Sequence, residues 1–157
     1  MLKEEEVYNG AKRWLNNNGF IVVAGQPAKG VDHLPVIEIK KPSGDKGSKD
    51  SYKPDLIAYR LKDSAFCIVE CKPKYNEGDY EKICSVLASA ERKNAFYHEL
   101  KQYQIINRVN YTKDFAYFDS TLFGIISFSG DPGPVKNMQK LIVSSWKGSA
   151  TLIAPNK

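Results

Sequence analysis

The alternation of apolar and polar positions divides the chain into helical and extended segments. Apolar residues recur at helical spacing over residues 2–18, which predicts an amphipathic helix that stops at Gly19. A longer helical stretch is predicted over residues 79–109, with Asp79 as its N-cap and a break near Arg92. Short apolar runs predict strands at residues 20–24, 35–40, 55–61, 66–72, 122–128, 141–145 and 150–153, and a short helix is predicted at residues 135–140. This order of elements favours an α/β or α+β fold with a mixed sheet.

Length and composition are those of one folded domain. The chain has 157 residues, of which 42% are hydrophobic and 26% are charged, so we predict a single domain over residues 1–157. No apolar run approaches the roughly 20 residues that a bilayer-spanning helix needs, and the start MLKEEEVY lacks the features of a secretory signal. The three cysteines are an odd number, which argues against a disulfide framework. We therefore expect a cytoplasmic protein with no membrane association.

The stretch over residues 53–74 carries the candidate chemistry. Asp55 opens one predicted strand, and Glu70 and Lys72 close the next, with a turn at residues 62–64 between them. Residues at i and i+2 share one face of a strand, so Glu70 and Lys72 project together. A hairpin with a short turn returns its last residues to the level of its first, which brings Asp55 beside them. The sequence thus predicts two carboxylates and one ammonium at the open end of a hairpin.

Such a group of side chains suits a magnesium site. Mg²⁺ usually takes one or two carboxylates and leaves its other positions to water and phosphate. A bound metal lowers the pKa of its water and offsets charge on a phosphate in the transition state, while a lysine orients or deprotonates the attacking water. We therefore predict metal-dependent hydrolysis of a phosphodiester.

The residues Pro54-Asp55, followed after an apolar strand by Glu70-Cys71-Lys72, resemble the motif of the PD-(D/E)xK nuclease superfamily. That superfamily includes restriction endonucleases, junction resolvases and repair nucleases. The resemblance implies an α/β fold with a restriction-endonuclease-like αβββαβ core, in which helices flank a mixed central sheet. It implies that Asp55, Glu70 and the backbone carbonyl of Cys71 bind Mg²⁺, for which Mn²⁺ substitutes, and that Lys72 is the catalytic lysine.

A glutamate of the first helix often assists catalysis in this superfamily. Projection at roughly 100° per residue puts Glu4 near the middle of the apolar face of the predicted helix. A carboxylate that faces a core needs a partner, so we predict Glu4 as the additional acid and keep Glu5 as the alternative. A second Glu-x-Lys, beginning at Glu38, is rejected because five residues separate Glu38 from Asp32, too few for two paired strands and a turn.

Basic residues near the predicted site favour nucleic-acid binding. Lysine and arginine number 23 against 18 acidic residues, a formal net charge of +5, and residues 41–53 form a lysine-rich loop with almost no apolar residue. We expect DNA backbone contacts from Lys41, Lys46, Lys49, Lys53 and Lys74.

Together these features predict a Mg²⁺-dependent endodeoxyribonuclease whose partner is DNA. A twofold homodimer is the simplest route to double-strand cleavage, because one active site cuts one strand. The alternative is a module of the same fold that binds nucleic acid, or assembles with a partner, without cutting.

Overall fold

The computed structural model describes residues 2–27, 33–40, 51–74, 77–130 and 138–155, which form a six-stranded mixed sheet with flanking helices. In chain order the elements are α1 (Glu4–Asn17), β1 (Phe20–Gly25), β2 (Leu56–Arg60), β3 (Ala65–Cys71), α2 (Glu77–Leu87), α3 (Ala90–Gln102), α4 (Ile105–Arg108), α5 (Phe115–Thr121), β4 (Phe123–Phe128), β5 (Gln139–Val143) and β6 (Ala150–Ile153). The strands lie in the sheet in the order of the sequence. Strands β1 to β3 are antiparallel, β3 to β5 are parallel, and β6 is antiparallel to β5.

Helices cover both faces of the sheet, and β3 is therefore buried along its whole length. Helix α1 packs on one face against residues such as Val69 and Leu141. Helices α2 to α5 pack on the other face, where Phe66 and Ile68 lie in an aromatic-rich core. Alternate residues of β3 thus face different helical layers, and Glu70 lies on the side of α2.

Helix α1 is amphipathic, as its spacing predicts, and it ends as predicted before Gly19. Val7, Ala11 and Leu15 are buried on its inner face. Gly19 has φ +84°, a left-handed conformation that glycine adopts at little cost after a helix. Gly10 allows α1 to approach the end of β5, because a Cβ atom at this position would meet the Val143 side chain and would lie 2.6 Å from the carbonyl oxygen of Ser145, just after the strand.

One predicted strand, one predicted N-cap and one predicted helix are wrong. Residues 35–40 do not form a strand, since Ile39 makes only an isolated bridge with Tyr52. Helix α2 begins at Glu77, so Asp79 lies in its first turn and is not its N-cap. Residues 135–137 lie outside the described part of the chain, and Gln139 with the residue after it belongs to β5 rather than to a helix.

The helical stretch after the hairpin is divided, as its pattern of apolar residues predicts. The break lies between Leu87 and Ala90, and Ser89 caps α3 by accepting a hydrogen bond from the Arg92 N–H. Helix α5 was not predicted, because it is short and its stability depends on the burial of Phe118 and on the cap from Asp114. No helix in the described ranges has both the length and the apolar character to cross a bilayer.

Candidate active site

Asp55 and Glu70 lie side by side at the open end of the β2–β3 hairpin. Leu56 pairs with Val69 in the antiparallel register. Asp55, which precedes Leu56, is therefore level with Glu70, which follows Val69. The Asp55 N–H donates to Glu70 Oε2 at 2.8 Å, and the Cys71 N–H donates to Asp55 Oδ2 at 2.9 Å. These backbone donors fix the position of both carboxylates.

The two carboxylates are buried close together, which disfavours full ionisation. Glu70 is 3% exposed, and burial, followed by the charge of Asp55, raises the pKa of Glu70 from its ordinary 4.5 to about 9. Burial also raises the pKa of Asp55, although the hydrogen bond from the Cys71 N–H opposes this shift. Near neutral pH the pair therefore holds a proton unless a metal ion binds beside it.

Tyr52 forms part of the apolar surroundings of this pair. The residue is 4% exposed, and its buried hydroxyl group lies close to the Glu70 carboxylate. Burial raises the pKa of Tyr52 well above its usual value, and the nearby charges of Glu70 and Asp55 raise it further. Sequence analysis did not identify Tyr52, because the residue reaches the site through its isolated bridge with Ile39.

Lys72 lies just past β3, where the end of the sheet no longer separates the two helical layers. Its Nζ donates to Glu4 Oε1 of α1 at 2.8 Å and lies 3.7 Å from Asp79 Oδ2 of α2. The hydrogen bond with Glu4 raises the pKa of Lys72, with a smaller contribution from the charge of Asp79. Lys72 is therefore an ammonium group held between two helices, beside the carboxylate pair.

Glu4 and Asp79 meet Lys72 from opposite faces of the sheet. Glu4 is at the start of α1, and its side chain is 37% exposed, so it is not the core-facing carboxylate that the helical projection indicates. Asp79 is 8% exposed and also lies 3.8 Å from Lys82. Its position in the first turn of the helix after the Glu-x-Lys motif was the available sequence signal, and the N-cap interpretation obscured it.

A small cavity adjoins the carboxylates. It has a volume of about 10 Å³ and is lined by Glu4, Tyr8, Gln26, Asp55 and Cys71. A cavity of this size accommodates about one water molecule. Within the described ranges no group of three or more Asp, Glu, His or Cys side chains has the arrangement of a metal site. Any cation held here would therefore depend on two carboxylates, backbone oxygen and water.

Lysines elsewhere on the chain occupy different positions relative to this site. Lys53 is exposed, with its Nζ 4.0 Å from Glu38 Oε2, and Lys74 is exposed after the end of β3. Lys140 of β5 is 4% exposed and aligns with Glu70 through Ile126 of β4, which places it on the same face of the sheet two strands away. The other three lysines predicted to contact DNA, Lys41, Lys46 and Lys49, lie outside the described residues.

Comparisons with known proteins do not identify a family for this chain. No protein-family model and no curated protein matches the chain. A solved structure of a protein of unknown function from Silicibacter pomeroyi resembles it with a TM-score of 0.39 and 13% sequence identity, over 100% of this chain and 73% of that chain. A likeness at this level carries no argument about activity.

Proposed function

We propose that the chain is a Mg²⁺-dependent endodeoxyribonuclease of restriction-endonuclease-like fold. The observation that carries the proposal is the buried Asp55–Glu70 pair at the end of two neighbouring strands, with the Lys72 ammonium beside it. Burial of two adjacent carboxylates in their ionised form is costly without a cation, which supports a metal-binding role for the pair.

The residues fit a magnesium ion in number and kind. Asp55, Glu70 and the backbone carbonyl of Cys71 are the proposed ligands, and two carboxylates completed by water are typical of Mg²⁺ in proteins. When bound, Mg²⁺ would acidify a water molecule and offset the charge that develops on the phosphate. The Cys71 N–H donates to the Asp55 carboxylate and holds it in place, which reduces the side-chain entropy that would be lost when Mg²⁺ binds.

Lys72 is proposed to act as a cation that orients the attacking water. Its hydrogen bond with Glu4 raises its pKa, so the ammonium form prevails at neutral pH and cannot accept a proton. An ammonium group near the reacting phosphate donates hydrogen bonds and stabilises negative charge in the transition state. Glu4, which holds Lys72, is the proposed additional acid.

The order of the elements supports the fold assignment. One helix, three strands, the helices α2 to α5 and then β4 follow one another along the chain, which is compatible with the αβββαβ order that the resemblance implies, with helices on both sides of a mixed sheet. Cleavage of both strands of a duplex would then require two copies of the chain, most simply a twofold dimer. DNA is the proposed partner because basic side chains lie around the acidic pair.

A nuclease assay tests the proposal. Wild-type protein, Asp55→Asn and the control Asp119→Asn are incubated with supercoiled plasmid, linear, single-stranded and branched DNA, each with Mg²⁺, Mn²⁺ or Ca²⁺. Asp119 is a suitable control because it lies in α5 and forms an ion pair with Lys93, whose Nζ is 3.2 Å from Asp119 Oδ1. We expect the wild type and the control to nick or linearise DNA with Mg²⁺ or Mn²⁺.

Asp55→Asn should lose this activity and regain part of it in excess Mn²⁺, because removal of a ligand weakens metal affinity first. If the wild type binds DNA but cuts no substrate with any of the three metals, the non-catalytic binding module is the correct description. If Asp55→Asn cuts as fast as the wild type at limiting Mg²⁺, the carboxylate pair is not the catalytic site.

A further inference from the structure

A polar groove lies beside the candidate active site, along helix α2. Its volume is about 450 Å³, and its walls include Ser51, Tyr52, Glu81, Lys82, Ser85 and Arg92. Hydroxyl groups and two cationic side chains face this space, whereas apolar side chains contribute little to it. A groove of this composition suits a charged, hydrogen-bonding ligand rather than an apolar one.

The groove adjoins the candidate active site at two residues. Tyr52 lies between the two sites, since it lines the groove and its buried hydroxyl group lies close to Glu70. Asp79 connects them electrostatically, because its carboxylate lies 3.7 Å from Lys72 and 3.8 Å from Lys82. A polymer strand that passes through the catalytic site can therefore extend into the groove.

The charges of the groove favour an anion. Lys82 and Arg92 give two positive charges against the single negative charge of Glu81. The guanidinium group of Arg92 is half-buried and makes no hydrogen bond or ion pair with any residue in the described ranges. The Lys82 side chain is 59% exposed and has only a long contact with Asp79. Both cations are thus available to a ligand.

We propose that this groove binds the phosphodiester backbone of the DNA strand next to the phosphate that is cut, with Lys82 and Arg92 as phosphate contacts. The inference rests on the proposed nuclease function and adds to it the path of the substrate strand. Ser51 and Ser85 line the same space, but the Ser85 hydroxyl already donates to the carbonyl oxygen of Lys82, so the two cationic side chains are the proposed phosphate contacts. Such contacts set position on the strand and carry no base sequence information.

Salt-dependent DNA binding tests the inference. Fluorescence anisotropy with a labelled 20-base-pair duplex and with one of its strands is recorded in EDTA, which prevents metal-dependent cleavage, across a range of NaCl concentrations. For Lys82→Ala/Arg92→Ala we expect the plot of log K against log salt to become less steep, its slope changing by about two units towards zero. Affinity at low salt should fall about tenfold or more. Circular dichroism checks that each variant is folded.

The matched control is Lys62→Ala/Arg108→Ala, which removes the same charge outside the groove and should leave the slope unchanged. Lys62 is in the turn of the β2–β3 hairpin, and Arg108 ends α4. The charge-preserving Lys82→Arg/Arg92→Lys should retain most of the affinity. If this variant keeps its affinity for DNA, the loss in the alanine variant is due to the missing charges and not to a general loss of structure.

The outcomes separate this inference from the nuclease proposal. If the groove and control variants bind DNA equally well and the wild type cuts DNA, the groove is not the strand path and the nuclease proposal stands. If DNA binding depends on the groove but no DNA is cut with Mg²⁺, the inference holds and the nuclease proposal fails. If the wild type binds neither DNA probe, both are wrong.

Discussion

The two ends of the β2–β3 hairpin both carry charged side chains, but the charges are balanced at only one of them. At the turn, the Arg60 guanidinium donates two hydrogen bonds to Asp63, at 2.9 and 2.8 Å. These bonds lower the pKa of Asp63 and raise that of Arg60. At the open end, two buried carboxylates adjoin each other, and the pKa of Glu70 rises to about 9.

The two ends differ in what their charges do to the stability of the fold. A bidentate pair at a partly exposed turn contributes modestly to stability and needs nothing further from solvent. A buried pair of carboxylates opposes folding in its ionised form, and such perturbed groups cluster at functional sites. The same short hairpin thus carries an ion pair at one end and two buried carboxylates, held by backbone donors, at the other.

The largest expected effect is on cleavage. Lys72→Ala should reduce the rate of DNA cleavage on the order of a hundredfold or more, because a positioned cation is lost from the transition state. Folding and DNA binding should be largely kept. The measurement is the rate of plasmid nicking in Mg²⁺ together with DNA affinity by anisotropy.

The turn end of the hairpin supplies the control for that substitution. Lys62→Ala removes a lysine from the exposed turn and should leave the rate of cleavage unchanged. Undiminished cleavage by Lys72→Ala would place the active centre elsewhere. Equal losses in the two variants would mean that total positive charge, rather than the position of Lys72, governs the rate.

A smaller effect is expected on stability, with opposite pH dependence at the two ends. The folded-state pKa of Glu70 is about 9, above its ordinary 4.5, so the folded state binds more protons between these values. The free energy of unfolding should therefore decrease as pH rises from 4.5 towards 9 without metal. Glu70→Gln removes this cost and should raise the Tm without metal, by more at pH 8 than at pH 6, because the cost grows with pH in this range.

Thermal unfolding at pH 6 and pH 8, with and without Mg²⁺, measures this effect. Mg²⁺ should raise the Tm of the wild type, more at pH 8 than at pH 6, because binding requires ionised carboxylates. It should raise the Tm of Glu70→Gln much less. A Glu70→Gln variant that is less stable than the wild type at pH 8 without metal would show that Glu70 is not held protonated in the folded state.

The smallest effect is expected at the turn. Asp63→Asn should lower stability at pH 7 by about 0.5 kcal/mol, about 1–2 °C in Tm, because solvent screens an ion pair at a partly exposed turn. The pKa of Asp63 is lowered, so its contribution is present above 3.8 and is lost as pH falls below that value. Unfolding curves for Asp63→Asn and the wild type should therefore converge in acid. A difference that grows as pH falls would contradict this assignment.

Much of the fold was predictable because it depends on local patterns. The spacing of Val7, Ala11 and Leu15 specifies α1, and the apolar run before Glu70 specifies β3. The segment around Ile39 was harder to predict, since burial of alternate residues looks the same for a paired strand and for an extended segment with one bridge. Helix α5 also has too little sequence of its own to be recognised by periodicity.

The sequence alone determined that Asp55, Glu70 and Lys72 occupy one end of a hairpin, because a short turn and a two-residue period decide which side chains lie level. Only the tertiary structure decided what surrounds them. Glu4 reaches Lys72 from 68 residues away, and Asp79 reaches it from the opposite helical layer. The raised pKa of Glu70 likewise depends on burial by segments distant in sequence, since desolvation is a property of the packed interior and not of the motif.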